Sequence, residues 1–302
     1  MEMKEFTMQE FAEQVKAIIE KSLSGIKEVH IQNVLKNNSV KLTGLVILSK
    51  ESNVAPNIYL ESYYERYKNG TELEILVHEI IRQYRIGKCA EKINLGFILD
   101  WEEAKKMVAY KVINREKNEE LLVKTPHRDV LDLSKVCYLS LNQGDGSILI
   151  HKQLFDMWHI DEEELFQTAE KNTPRLFPPS LKSVHDVVCE LWEEGFGEEA
   201  KVSADCQIGM YLLTNKQKHT GAGVIFYDGI LKDMAQAFGG DFYILPSSTH
   251  EVIILPVVEG GSAEELAEMV KEINAAMVDK EEILSNHVYC YKRETKELYI
   301  AA

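Results

Sequence analysis

Phe242-Tyr243-Ile244-Leu245-Pro246-Ser247-Ser248-Thr249-His250-Glu251-Val252-Ile253-Ile254-Leu255-Pro256 is the stretch on which the fold class turns. Two short runs of aromatic and branched aliphatic residues flank a polar link that begins at a proline. This pattern predicts strands over 242–245 and 251–256, joined by Ser247-Ser248-Thr249-His250. So short a link makes the pair antiparallel, because parallel neighbours need a crossover of a dozen or more residues. Upstream, strands are expected over 208–213 and 224–227, with a polar loop at 216–223 and a helix over 228–238 closed by Gly239-Gly240. Downstream, Ser262 and Glu265 have capping-box spacing and open a helix through Val278. Short strands over 287–292 and 297–300 follow.

The first half reads in the same way. Thr7 and Glu10 form another capping-box pair, and Phe11, Val15, Ile18 and Ile19 line one helical face. Strands over 28–35 and 39–48 meet at Asn37-Asn38, a pair tolerant of left-handed backbone. Pro56 starts a short helix to Tyr67, closed by Asn69-Gly70, and Thr71 caps a helix carrying Leu73, Leu76, Ile80 and Tyr84. Asp100 and Glu103 open a helix to about Ile113. A loop containing Pro126-His127-Arg128 precedes a hairpin with strands 135–141 and 147–151 and a turn at 142–146. Helical segments over 152–158 and from Asp161 to about Lys171 come next. Pro174, Pro178 and Pro179 stiffen the chain before a helix over 181–192 that ends at Gly195 and Gly197. The expected class is α+β, with mainly antiparallel sheets built from hairpins and packed helices. The proline cluster suggests two regions, 1–172 and 173–302, within what could be one compact unit.

Composition narrows the function classes. The 302 residues include 34 Lys+Arg and 49 Asp+Glu, a net charge of −15. Residues 151–302 hold 13 Lys+Arg against 27 Asp+Glu, so the excess belongs almost wholly to the second half. Such a surface repels phosphate backbones and anionic lipid, which argues against sequence-independent binding to nucleic acid or membrane. A basic protein or peptide is the partner it suits. Cys89, Cys137, Cys189, Cys206 and Cys290 are scattered and form no C-x-x-C pair, so neither a disulfide framework nor a zinc site is indicated. The N-terminus lacks a basic-then-apolar signal pattern, and the strongest apolar run, 252–258, is far below the about 20 residues a spanning helix needs. A cytoplasmic protein with free thiols and no cofactor is expected.

Chemistry-bearing residues gather at two links. Ser247, Ser248, His250 and Glu251 crowd the hairpin; Thr214 and Asn215 end a strand before Gly221-Ala222-Gly223, where paired glycines allow close backbone approach. If both links open at one sheet end, the six polar residues share a concavity suited to a small ligand or peptide. Serines and an imidazole so close in sequence rarely form a nucleophile–base pair, since adjacent strand residues face opposite ways. The rival expectation is a hydrolase of unfamiliar type with His250 and Glu251 as acid and base. His78-Glu79 begins a zinc-protease motif, but Arg82 stands where the second His is needed, so Glu74, His78, Arg82 and Arg85 read as a solvated helix face. Gly260-Gly261-Ser262 lacks phosphate-loop spacing and reads as a helix cap. Pro126-His127-Arg128 with Asp129 and Asp132 reads as a loop held by an Arg–Asp pair.

Leu212-Leu213-Thr214-Asn215, Gly221-Ala222 and Pro246-Ser247-Ser248-Thr249-His250-Glu251-Val252 resemble the C-terminal signature of an uncharacterised family of anaerobic gut bacteria of the Clostridia type. Pro126-His127-Arg128 with Asp132-Leu133 is similar to a signature nearer its middle, and the likeness runs over nearly the whole chain. The resemblance implies a bacterial, cytoplasmic protein and assigns no residue a role. The leading expectation is a non-enzymatic binding or regulatory protein; a hydrolase and, third, a nucleic-acid binder are the alternatives.

Overall fold

The computed structural model describes residues 6–53, 55–87, 95–141, 146–196 (backbone only for 191–196), 209–257 and 261–302. Its contacts divide the chain into two compact units, Met1–Gly96 and Phe97–Ala302. The proline cluster lies inside the second unit, with Pro174 in a helix and Pro179 opening a strand.

In the first unit, helix α1 (Met8–Ser22) begins at the expected capping box, with Thr7 and Glu10 satisfying each other's backbone N–H groups. Strands β1 (Ile26–Leu35), β2 (Lys41–Ser49) and β3 (Asn57–Tyr59) form one antiparallel sheet, and Asn38 takes the left-handed conformation between β1 and β2. Helices α2 (Glu61–Lys68) and α3 (Leu73–Gly87) complete the unit. Phe11, Val15 and Ile19 of α1 pack with Leu45, Ile47 and Ile58 of the sheet and with Leu76 and Ile80 of α3. The helix expected from Pro56 starts five residues later, because Asn57–Tyr59 pairs with β2 first.

The second unit contains α4 (Trp101–Ala104), β4 (Val108–Asn114), α5 (Glu119–Leu122), β5 (His127–Val130), β6 (Leu133–Leu141), β7 (Gly146–Leu149), α6 (Lys152–Trp158) and α7 (Glu162–Leu176). It continues with β8 (Pro179–Ser183), α8 (Val184–Phe196), β9 (Tyr211–Asn215), α9 (Ile230–Phe238), β10 (Phe242–Leu245), β11 (Val252–Pro256), α10 (Ala263–Met277), β12 (Tyr289–Lys292) and β13 (Glu297–Ile300). One sheet places β4 along one edge of β6, and β5 and β7 along successive halves of the other. A six-stranded sheet runs β13-β12-β10-β11-β9-β8. Every described strand pair is antiparallel. The fold is α+β.

Alternation along β10 explains how the six-stranded sheet is covered. Phe242 and Ile244 face the main core, which Tyr110, Cys137, Phe166, Met234 and Tyr289 also enter. Leu245 lies on the opposite face with Leu255, Val288 and the inner stripe Leu266, Ala267 and Val270 of α10.

Several elements differ from expectation, each for a physical reason. The helix begun at Asp100 stops at Ala104, and 108–114 is a strand buried on both faces. Apolar residues on both sides of Lys111 give no period that separates a central strand from a buried helix. His127–Val130 is a strand rather than a loop because its backbone pairs with β6. Residues 179–183 pair with β9, so the helix expected from 181 starts at Val184. The strand expected over 224–227 is part of a 3-10 turn, Gly221–Phe226, whose Ala222, Val224 and Ile225 are buried in the core. The strand expected at 208–213 is β9, three residues later; residue 208, most of the 142–146 turn and Gly197 lie outside the described residues.

Candidate functional site

Antiparallel pairing brings the two polar links to one sheet end. Leu213 of β9 lies opposite Val252 of β11, so the C-terminal end of β9 and the N-terminal end of β11 coincide. Thr214 and Asn215 are nearly sealed from solvent, at 5% and 2% exposure. Thr214 Oγ1 donates to the His250 carbonyl at 2.7 Å. Asn215 holds the neighbouring loop, its Nδ2 donating to His219 O at 2.8 Å while its Oδ1 accepts from His219 N at 3.3 Å.

That loop arrives on a 3-10 turn that only glycine can begin. A Cβ at Gly221 would sit 2.2 Å from Thr214 Oγ1, 2.5 Å from His250 O and 2.8 Å from Asn215 N. Just before it, Thr220 adopts a left-handed φ of 49°, and its N–H donates to His250 Nδ1 at 3.2 Å. Since Nδ1 accepts there, the neutral ring carries its proton on Nε2, which faces Glu282 Oε1 at 3.2 Å. Both imidazole nitrogens are therefore engaged. The His219 ring lies 5.3 Å away, its pKa depressed by burial and by the His250 charge.

The hairpin link is equally tied. Ser248 Oγ accepts the His250 N–H at 3.0 Å, a local hydroxyl turn, and also bonds the Glu251 carboxyl. Ser247 and Pro246 lend their carbonyls to Leu284 N and Ser285 N at 2.9 Å each, and Thr249 N donates to Glu282 O at 2.8 Å. A strap, residues 282–285, thus runs antiparallel to the link, with Ser248 bridged to Ile283. All six expected residues are brought together, but their polar atoms are turned largely onto one another and onto the strap. The imidazole pairs with Glu282, not with Glu251, and neither serine hydroxyl is hydrogen-bonded to it. No acid–base–nucleophile relay is assembled in this arrangement.

Burial holds the Glu251 carboxyl above the ordinary glutamate range, opposed by the His250 charge and the Ser248 hydrogen bond. A carboxyl raised in the folded state favours folding where it is protonated, below its unfolded value of 4.5, and that contribution disappears as pH rises through the higher folded value. At neutral pH the carboxylate opposes folding. Glu251→Gln is accordingly expected to melt higher than the parent at pH 7, with the gap closing toward pH 4. A variant less stable at pH 7 in thermal denaturation contradicts this.

Glu282 carries no motif in the sequence, because its partner His250 lies 32 residues away. Sequence reading also missed a second cluster. Asp132 Oδ2 accepts from Ser285 Oγ at 2.6 Å and Oδ1 from Tyr289 OH at 2.5 Å. Asn114 Nδ2 donates to Leu284 O at 2.9 Å beside them. Asp132 stood among the resemblance residues, but its partners are 153 and 157 positions away, and no local spacing announces them.

The remaining candidates resolve into scaffold. Glu74, His78, Arg82 and Arg85 are exposed on α3, and Glu79 forms a two-pronged pair with Arg66. Ser262 and Glu265 make the reciprocal cap that opens α10, while Gly260 lies outside the described residues. Arg128 pairs with Glu163 at 2.5 Å and packs over the Phe166 ring, rather than with an aspartate; Asp129 instead accepts from Ser134 at 2.6 Å. No group of three or more His, Cys, Asp or Glu poised for a metal occurs among the described residues.

The model of a family of unknown function, DUF5688, matches residues 8–293. The chain belongs to this family. No curated protein and no solved structure matches the chain. The DUF5688 span includes both polar clusters, the one around His250 and the one around Asp132, together with every strand of the described sheets except β13. Within the described residues of this DUF5688 chain, no helix is long and apolar enough to cross a membrane.

Proposed function

We propose that the protein is a non-enzymatic binding or regulatory protein whose α10 surface recognises a basic amphipathic protein segment. The outer face of α10 carries the proposal. Its inner stripe is buried, yet Met269, Ile273 and Met277, spaced at i, i+4 and i+8, are 43%, 38% and 83% exposed. Glu264, Glu268 and Glu272 are exposed beside them, and the one lysine of the helix, Lys271, is paired with Glu268 at 2.7 Å. An apolar row flanked by acids complements a helix with Leu or Phe anchors and a Lys/Arg face. Methionines adapt to irregular partners, and the net charge of −15 hastens encounter with a cation. A cytoplasmic setting in a bacterium is part of the same reading, supported by the free thiols of Cys137, Cys189 and Cys290. The hydrolase reading has less support, because using His250 as a base requires breaking its bond to Thr220 N–H or to Glu282.

A labelled Lys/Leu amphipathic peptide titrated into the full chain is expected to bind saturably, with affinity falling as salt rises. Met269→Glu with Ile273→Glu on this solvent face should weaken it about tenfold or more. Binding that ignores both salt and these substitutions sinks the proposal. Ester hydrolysis by the parent that vanishes in His250→Ala would favour the hydrolase instead.

A further inference from the structure

A second site has the opposite electrostatic character. Lys232 and Gln236 of α9, and Tyr291, Arg293 and Lys296 of the β12–β13 hairpin, surround a cavity of about 200 Å³ whose floor includes Ala235. Three cations converge there in a half-chain with 27 acidic residues, and no carboxylate lines the cavity. One acid nearby, Asp241, is engaged elsewhere. Asp241 takes Lys292 Nζ at 2.8 Å and the backbone N–H of Arg293 at 2.9 Å. Lys232 and Lys296 form no ion pair among the described residues, unlike Lys135, Lys182, Lys271 and Lys292. Arg293 spends one N–H on Gly239 O, at 2.8 Å, leaving the rest of its fork free.

Two further features shape the cavity. Tyr291 is stacked on Phe242 at 5.4 Å and lines the cavity, where its hydroxyl is not sealed from solvent and makes no hydrogen bond among the described residues. Lys296 also adopts a left-handed φ of 59° at the end of the hairpin turn, where its N–H closes onto Lys292 O at 2.8 Å. Glycine or asparagine takes that conformation at less cost. Like charges held together without a counter-ion repel one another; an anion in the cavity removes that penalty and gives the phenol an acceptor.

We infer that this cavity binds a phosphate group, free or as the head of a small phosphomonoester. Every polar side chain lining it is a donor toward such a ligand: two ammonium groups, a guanidinium fork, an amide and a phenol. About 200 Å³ is below the roughly 300–1,000 Å³ of drug-sized pockets, which suits a compact anion better than a nucleotide. The site is separate from α10 and from the His250 cluster, so its failure leaves the peptide-binding reading untouched.

Calorimetric titration of the full chain with inorganic phosphate, and separately with glycerol phosphate, at constant ionic strength is the test. Saturable binding of either is expected, phosphate alone indicating the free ion and both a headgroup site. Lys232→Gln with Lys296→Gln should weaken it about tenfold or more, two charge-assisted contacts being lost. Lys296→Gly distinguishes a ligand site from a structural one: affinity should fall while the thermal midpoint stays level or rises, because glycine suits the left-handed turn. The inference is overturned by absent saturation at millimolar phosphate, by affinity unchanged in the double variant, or by citrate binding more tightly than either phosphate, which would make the site one for polycarboxylates.

Discussion

Gly221→Ala is expected to destabilise the second unit by about 3 kcal/mol, because the added methyl overpacks a closed site and displaces buried hydrogen bonds. Two of the three atoms it would strike, His250 O and Asn215 N, are backbone at the β9–β11 sheet end, and the third belongs to a buried threonine. None can retreat without loosening the Thr214–His250 bond or the hold of Asn215 on the 219 loop. In a unit of this size the melting midpoint should fall by roughly 6–12 °C. Urea denaturation followed by the indole signal of Trp101 and Trp158, both in this unit's core, reads the change. A loss below about 1 kcal/mol would show that the 3-10 turn shifts independently of the sheet end.

Asp132→Ala should cost a comparable amount, about 4 kcal/mol, by leaving the hydroxyls of Ser285 and Tyr289 without their acceptor. Both residues are fully buried, and burial together with the neighbouring carboxylate drives the Tyr289 hydroxyl far above its ordinary pKa, so it remains a donor at any accessible pH. Asp132→Asn keeps one carbonyl acceptor and should lose less. A double-mutant cycle with Tyr289→Phe should return a coupling of about 1–3 kcal/mol. Additive losses would mean that the carboxylate acts on the β5–β6 turn alone and does not link it to the strap at 282–285.

These two expectations also mark where sequence reasoning succeeds and where it ends. The capping boxes at Thr7–Glu10 and Ser262–Glu265 were legible because each partner lies three residues from the other. The 242–256 hairpin was legible because its two apolar runs and its link are contiguous, and β10 keeps the bounds read from the residues. The need for glycine near 221 was also readable as close approach, although not what was approached. By contrast, the run 108–114 carries apolar residues on both faces, so its period is silent and only pairing with β6 makes it a strand. The run at 224–226 has strand-like composition, yet its residues fill the core from a 3-10 turn.

For the candidate site, residue types picked out Thr214, Asn215, Ser247, Ser248, His250 and Glu251 on two polar links, but that the links open at one sheet end was only a condition until β9 was seen paired with β11. What each atom does there was not readable. His250 is bonded to residues 30 positions before it and 32 after it, and Asp132 to residues more than 150 away. The sequence by itself determined the class of fold, the helix starts, the principal hairpin and the placement of negative charge, since these rest on contacts within a few residues or on composition. Only the tertiary structure decided that the imidazole is held at both nitrogens, that Asp132 anchors the C-terminal strap, and that three cations without an ion pair among the described residues meet around Tyr291. Such contacts form after distant segments close on one another, and the residues that meet leave no spacing in the chain to record it.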